Sequence, residues 1–407
     1  MDFKPEYTKE QEEFRKEVRA WVEENARYPE ELGPIPLSSG DMSREMWLWG
    51  RDFQRKLGAK GWYYPTYPKE YGGGGLSGDK DIIIKEELRR VEHPVAYSMV
   101  SMAAPALLVY GTEEQKQRLL KPMLRGEMVA WQAFTEPGAG SDLASLQTRA
   151  VRDGDDFIIT GEKCFIGGHH EPDVLWAPVM TDPDAPRHMN LGAFVIPANL
   201  PGISIRFQNL VIREGKRAVT FEGARVSREY LVGGETQGWR VIQSSLEIEH
   251  GGGGSVLPED DPIVTGALEF CKKTLRNGVP LSSDPAIQKE MVDLYIEANV
   301  HRLIGMRNHW MHNNNVPGTY HGSQNSLVGK YTALRSAVKL LNALGPFALT
   351  VDPKWGALEG KVEDHQRHTL GSDHRGGTID VQKVIIARRI GISRTRERAA
   401  PTRAQAG

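Results

Sequence analysis

Residues 129–160, VAWQAFTEPGAGSDLASLQTRAVRDGDDFIIT, are where the hydrophobic period of the chain changes. Before them, apolar residues recur at three- and four-residue intervals. From Val129 onward they fall in short runs, most of them enriched in β-branched and aromatic types. Runs at 129–134, 144–151, 157–160, 174–180, 192–197, 203–207 and 218–221 predict strands. Turn sequences such as Asp153-Gly154-Asp155 and Asn199-Leu200-Pro201-Gly202 separate them. No helical pattern of 10–15 residues intervenes, which favours an antiparallel sheet or barrel over repeated βαβ units.

Upstream, the chain reads as helices. Thr8 and Gln11 fit a capping box, followed by Phe14, Val18, Trp21 and Val22 at helical spacing. A second helix starts near Ser43, whose hydroxyl can cap it, and carries Trp47, Trp49, Phe53 and Leu57 until Gly58 and Gly61 end it. Further helical patterns cover 79–91, 96–109 and 113–124; the second is largely apolar, which places it centrally. Downstream, helical spacing returns at 239–250, 262–276, 285–311, 323–343 and 379–391. The last 15 residues hold four Arg and almost no apolar anchors, the composition of a loose tail. The order is α, then β, then α, without an internal repeat.

Composition narrows the function. The 407 residues suffice for two or three structural units, and 39% hydrophobic against 26% charged residues excludes wholesale disorder. With 51 Lys and Arg against 53 Asp and Glu, the formal charge of −2 gives no global pull toward nucleic acid. Cys164 and Cys271 are too few for a disulfide scaffold or a CxxC metal site. There is no apolar signal region at the amino end and no run of 18 apolar residues, so neither a secretory leader nor a membrane span is expected, and the location expected is cytoplasmic.

The most distinctive local sequence is FTEPGAGSD, residues 134–142. It sets two hydroxyls, two carboxylates and glycine-flanked amides between two β runs. Such a loop can present N–H donors to a cofactor or a phosphate, or can simply be a turn with a capping Ser-Asp. No Gly-Lys-Ser/Thr follows, and it is not a G-x-G-x-x-G opening a helix.

Residues 135–142, TEPGAGSD, resemble the signature loop of the acyl-CoA dehydrogenase family. Gly161-Glu162-Lys163 with Phe165-Ile166 resembles the strand that follows it there. Residues 69–73 (KEYGG), Gly111 with Gln115-Lys116, Gly126-Glu127, residues 221–226, Gly238-Trp239, and Gly376-Gly377-Thr378 with Gln382, Ile386 and Arg389 fall in the family's order, over roughly residues 5–392. The resemblance implies an α+β fold: a helical domain at 1–127, a central antiparallel β domain at 128–237, a four-helix domain at 238–392 and a flexible tail at 393–407. It also implies FAD held between the last two domains. The implied reaction is α,β-desaturation of an acyl-CoA thioester, in which a carboxylate takes the α proton and the β hydrogen leaves as hydride to flavin N5. Electron-transfer flavoprotein is the implied electron acceptor.

An α C–H beside a thioester is too weakly acidic for an ordinary carboxylate. The thioester oxygen needs hydrogen-bond donors, and the base needs a pKa raised by desolvation. Members of the family carry the base either just before the Gly-Thr of the terminal motif or on the first helix of the last domain. The first position is Gly376 here. The second is in LEIEHGG, residues 246–252, where the family register puts Glu249 at the base position and His250 at the position of an Arg. Glu247 and Glu249 point roughly 200° apart on a helix, so they cannot both face one substrate. Without the resemblance either would read as a surface carboxylate. Gly251–Gly254 either end the helix or leave room for a branched or ring-bearing acyl group.

By the same register, Thr135 contacts the flavin pyrimidine edge, with Phe134 its neighbour, and Phe165 stands for the usual Trp beside the isoalloxazine. Ser141 and Gly140 lie near the CoA pantetheine or phosphate, Thr378 near the cofactor, and the amides of Gly376 and Gly377 hold the thioester oxygen. Two departures stand out. Gly167 occupies a position where a Thr or Ser often bonds near flavin N5. The family's Arg-x-x-Phe-Gly, which reaches the FAD of a neighbouring subunit, is TLRNG here (274–278), leaving Arg276 or Lys273 as substitutes. The assembly is thus expected to be a homodimer, a homotetramer or a heterotetramer with a related chain. Two alternatives follow: a subunit supporting a partner's active site, and a flavin-dependent oxidase or monooxygenase. His169-His170-Glu171 reads as a polar loop rather than a metal site.

Overall fold

The computed structural model describes residues 7–37, 39–212, 215–249, 260–314 and 316–393. They form two compact units, one of residues 7–210 and 215–249, the other of 211–212 and 260–393.

The first unit begins with α1 (Lys9–Asn25), whose amino end carries the expected capping box: Thr8 accepts from Gln11 N, and Gln11 reaches back to Thr8 N. In α2 (Arg44–Ala59) Ser43 caps Met46 N at 3.2 Å. With α3 (Gly78–Arg89) these helices bury Val18, Val22, Phe53, Leu57, Ile83 and Ile84 around Trp62. A charged clasp joins α1 to α3: Glu87, 2% exposed, accepts from Arg15 at 3.0 Å and Arg19 at 2.8 Å. Next come α4 (Val100–Tyr110), then α5 (Glu113–Gln115), which passes through a π turn at Lys116–Leu120 into α6 (Lys121–Leu124). The pattern at 113–124 predicts one regular helix; the π turn falls just before Pro122, which has no N–H to give to a helical ladder.

Eight strands follow: β1 (Ala130–Gln132), β2 (Arg149–Asp153), β3 (Asp156–Gly167), β4 (Val174–Met180), β5 (Leu191–Pro197), β6 (Ile203–Gln208), β7 (Lys216–Ser227) and β8 (Leu231–Val232). Their order is β6-β7-β3-β2-β4-β5-β8, with β1 also on β4. The sheet is mainly antiparallel, but β1 and β2 run parallel to β4, so it is mixed. The run at 144–151 is not all strand. It opens as a 3-10 turn (Leu143–Ser145) and pairs only from Arg149, because the Gln147 and Thr148 amides are taken by the Glu136 carboxylate. Conversely, β3 extends well past Thr160, carrying the polar Glu162 and Lys163 along β7. Strands β4 and β5 are buried on both faces, which explains why each reads as a continuous apolar run. One face meets α4 and α7 (Gly238–Glu249) through Leu107, Trp176, Val195, Val241 and Ile242; the other packs Leu175, Val179, Phe194 and Ile196 on Phe157 and Phe221. A hydrogen-bond relay pins α7: Trp176 Nε1 donates to Ser245 Oγ at 3.1 Å, and Ser245 Oγ donates to Met102 O.

The second unit is a helix bundle. In it α10 (His321–Leu344) packs against α9 (Pro285–Asn313), α11 (Lys361–Leu370) and α12 (Ile379–Arg389), with α8 (Pro262–Lys273) on α9. Its core includes Val264, Ala267, Met291, Leu294, Leu340, Leu344 and Val362. Helix α11 has no clear apolar period in KVEDHQRHTL. It is set by tertiary burial of Val362 and Thr369 and by the Glu363–Arg367 pair one turn apart. The helix expected at 262–276 stops at Lys273, and residues 275–280 form a hairpin, β9 (Leu275–Arg276) and β10 (Val279–Pro280). Asn277 and Gly278, at φ 53° and 81°, make its tight turn, the Asn-Gly pairing that such hairpins favour. Among the described residues no helix is long and apolar enough to cross a membrane.

Burial alone would raise the Glu87 carboxyl, but the Arg19 and Arg15 guanidinium groups hold it below the usual carboxylate value. Glu87 therefore stabilises the fold above its unfolded pKa, and this contribution is lost as pH falls through the depressed folded value. Glu87→Gln is expected to cost about 2 kcal/mol at pH 7 in denaturant unfolding, with the gap to wild type closing as the acid limb is approached.

Candidate functional site

The 134–142 segment leaves the sheet after β1 and is tied back to it twice. Ala133 N donates to Trp176 O at 2.8 Å, and Thr135 O accepts from Cys164 N at 2.8 Å. Glu136 and Ala139 then exchange backbone hydrogen bonds, which puts Pro137 and Gly138 at an exposed tip. Under this turn lies an ion pair away from water. Lys163 is 0% exposed and Glu136 5%. The Lys163 ammonium donates to Glu136 Oε1 at 2.8 Å, Phe134 O at 3.2 Å and Pro178 O at 2.9 Å, so all three of its donors are used. Pro178 lies between the β4 residues paired with β1 and the one paired with β2, a gap in the ladder where a residue without an N–H is tolerated and its carbonyl is open to Lys163. Burial works against the Glu136 charge, but the Lys163 ammonium and the Gln147 and Thr148 groups outweigh it and hold the carboxyl below its usual value. Burial falls harder on the Lys163 ammonium, whose pKa is lowered despite its partner.

Next to this anchor, β3 carries one extra residue relative to β7 between Lys163 and Ile166. Phe165 sits in that bulge at φ 56°, 54% exposed, with its N–H on Gln208 Oε1 at 2.8 Å. A phenylalanine at positive φ is strained, and a bulge re-aims the side chain it carries, here off the sheet and into the open. Phe134 is buried. The Thr135 hydroxyl makes no hydrogen bond among the described residues, and Gly140 and Ser141 are exposed beyond it, followed by the Asp142–Arg187 pair. Thr135, through Cys164, is therefore one residue from the displayed Phe165 ring. An exposed aromatic face beside an unused hydroxyl fits a planar, hydrogen-bonding ring system such as a flavin.

Gly167 has a physical reason. A Cβ built there would lie 2.6 Å from the Tyr97 hydroxyl and 2.8 Å from its ring, so the tyrosine fills the place of a side chain at this position. The neighbouring His169 stacks edge-on against Tyr97, His170 packs on Trp47 and Glu171 pairs with Arg44. Among the described residues no cluster of metal-ligating groups occurs.

The remaining expected residues divide between the two units. Glu249 is the last residue of α7, one helical turn after the anchored Ser245; His250 lies outside the described residues. In the bundle, Gly376 and Gly377 have φ of 59° and 75° and lead into Thr378, whose hydroxyl caps α12 at Val381 N, 3.2 Å away. Arg276 is exposed on the β9–β10 hairpin between the exposed Leu275 and Val279. Sequence reasoning gave no structural role to Tyr97, and read Glu136 only as one carboxylate of the 134–142 loop. The signal available for the buried pair was the lysine of the Gly161-Glu162-Lys163 motif followed by Cys164, Phe165 and Ile166, a cation leading into an apolar run.

Lys163→Met strands the Glu136 carboxylate and is expected to cost about 3–5 kcal/mol of unfolding free energy, whereas Lys163→Met with Glu136→Met should cost less than the single change. Chemical denaturation of the three proteins measures this, and a double variant weaker than the single one refutes the pairing.

Three family models match in sequence order: the acyl-CoA dehydrogenase N-terminal domain at residues 8–127, its middle domain at 132–219 and its C-terminal domain at 236–391. The chain is 29% identical to the acyl-CoA dehydrogenase FadE26 of Mycobacterium tuberculosis, covering 93% of this chain and 96% of that protein. Among solved structures, it resembles a chain of the ChsE4-ChsE5 complex from Mycobacterium tuberculosis, with 27% identity, TM-score 0.79 and 96% and 100% of the two chains covered. It also resembles the Tcur3481-Tcur3483 steroid ACAD, with 28% identity, TM-score 0.81 and 98% and 100% covered. The chain belongs to the acyl-CoA dehydrogenase family, and with it to the FAD-dependent oxidoreductases that act on CH–CH bonds.

Proposed function

We propose that this chain works as one subunit of a heteromeric acyl-CoA dehydrogenase, two related chains dividing the cofactor and base contributions, and that it takes a bulky, ring-bearing acyl-CoA. The observation that carries the reading is the β9–β10 hairpin. It is exposed, apolar at Leu275 and Val279, and cationic at Arg276, while the register position of the family's FAD-reaching arginine is Thr274. Exposed apolar residues flanking a cation suit a neighbouring chain better than water. Similarity to a two-chain complex and to a two-component steroid enzyme supports both the partner and the ring-bearing substrate.

FAD, when bound, supplies an acceptor for the β hydride, and electron-transfer flavoprotein removes the electrons. The chain's own residues do the rest. Phe165 offers its exposed ring and Thr135 its hydroxyl to the cofactor, with Phe134 fixing the segment behind them. Thr378 and Arg276 extend the cofactor contacts, and Gly140, Ser141 and His250 receive the CoA. Glu249 takes the α proton. The amides of Gly376 and Gly377 hold the thioester oxygen as charge develops on it, which makes the α proton acidic enough for a carboxylate to remove.

Affinity purification at native expression level is expected to recover a second, related chain in equal amount, with fewer than one FAD per chain; a homotetramer with one FAD per chain refutes the heteromer. In the purified assembly, flavin absorbance should bleach with steroid-side-chain or aromatic acyl-CoA more readily than with short straight-chain thioesters. Glu249→Gln should abolish bleaching by at least about 10³-fold while FAD stays bound. Full bleaching by that variant would place the base on the partner chain and leave this one a supporting subunit.

A further inference from the structure

The proposed thioester-oxygen site consists of two consecutive amides, and the bundle contains two buried side chains arranged behind them. Lys330, on α10, is 8% exposed. Its ammonium donates to Ser372 O at 2.7 Å and to Arg375 O. Gln382, on the first turns of α12, is fully buried, and its Nε2 donates to Gly376 O at 2.7 Å. The other polar side-chain atom of Gln382, Oε1, is buried and has no hydrogen-bond partner among the described residues, so within them the amide is committed to that one contact.

These two acceptors are not arbitrary carbonyls. Arg375 C=O and Gly376 N–H belong to one peptide unit; Gly376 C=O and Gly377 N–H belong to the next. A trans peptide is planar, with its C=O and N–H pointing opposite ways. Fixing the first carbonyl on Lys330 turns the Gly376 amide away from that lysine, and fixing the second on Gln382 turns the Gly377 amide away from that glutamine. The positive φ at both residues is open to glycine at no steric cost. Neither amide donates a hydrogen bond among the described residues. The ammonium behind the first unit also polarises it, since a donor on the carbonyl strengthens the N–H of the same peptide as a donor. Both amides lie just ahead of Thr378, the cap of the eleven-residue helix α12, whose amino end adds partial positive charge.

We infer that Lys330 and Gln382 are positioning residues for the reaction: they orient and polarise the Gly376 and Gly377 amides that bind the thioester oxygen. This rests on the functional reading above and goes beyond it, because both side chains are given a part in the reaction through the two peptide units whose carbonyls they hold. Their role is electrostatic preorganisation, so it is expressed in the transition state more than in substrate binding.

The test uses the FAD-loaded assembly carrying Lys330→Met or Gln382→Leu, with an unreactive aryl-acryloyl-CoA as a chromophoric probe. Wild-type protein is expected to shift the probe's absorption band to the red on binding, because the amides pull electron density onto the thioester oxygen. Lys330→Met should lower kcat by about 10²-fold with KM changed less than threefold, retain FAD, and lose most of the band shift. Gln382→Leu should show the same pattern, and Lys330→Arg should recover part of the shift. A variant that keeps the full band shift overturns the inference, as does one whose lost activity matches its lost FAD. If wild-type protein binds the probe without any shift, the inference also fails, whereas failure to bind any acyl-CoA overturns the functional reading itself.

Discussion

The arrangement of the sheet-side site depends on one buried ion pair. Lys163 brings a charge from β3 into a dry interior and satisfies it with the Glu136 carboxylate and the carbonyls of Phe134 and Pro178. Such a pair is a weak source of net stability, because two ions lose their hydration to make it. Its value is positional. Three acceptors from two segments meet at one ammonium, so the 134–142 loop has one place to lie. The same carboxylate takes the Gln147 and Thr148 amides, which delays the start of β2 and holds the far end of the loop as well. Thr135 then falls beside Cys164, and the bulge displays Phe165 one residue further on.

The helical unit uses comparable chemistry. There Lys330 lies nearly buried and donates to the carbonyls of Ser372 and Arg375, close to a pair of glycines. In both places a lysine serves because its compact ammonium can gather acceptors from a curved stretch of backbone, which a planar guanidinium with fixed donor directions does less readily. The glycines supply conformations or approaches that side chains would forbid, and the lysines remove the freedom that glycine brings.

The departures from the family pattern become intelligible at the level of volume and exposure. Gly167 is not an empty position, since the Tyr97 ring and hydroxyl occupy the space that a side chain would need. Thr274 ends α8 before a hairpin that carries Arg276 outward between apolar neighbours, so the segment still presents a cation two residues further on. Gly376 has given up the carboxylate of one family branch and keeps the backbone amide, which a side-chain substitution does not remove.

The sequence alone was enough to determine the order of helices, strands and helices, the caps at Thr8 and Ser43, and the motif register that assigns the family. These are local or evenly periodic properties, carried by residues a few positions apart. It did not reveal that β1 and β2 lie parallel to β4, that α11 is a helix, or that β3 continues through Glu162 and Lys163, because each depends on surfaces contributed from distant segments. The candidate site residues of each unit divide in the same way. Thr135, Phe165, Gly376 and Gly377 could be named from motifs. Only the tertiary structure could pair Lys163 with Glu136, fill the space at Gly167 with Tyr97, or set Lys330 and Gln382 behind two amides. Burial and carbonyl direction arise when the chain closes on itself, and no spacing along the sequence encodes them.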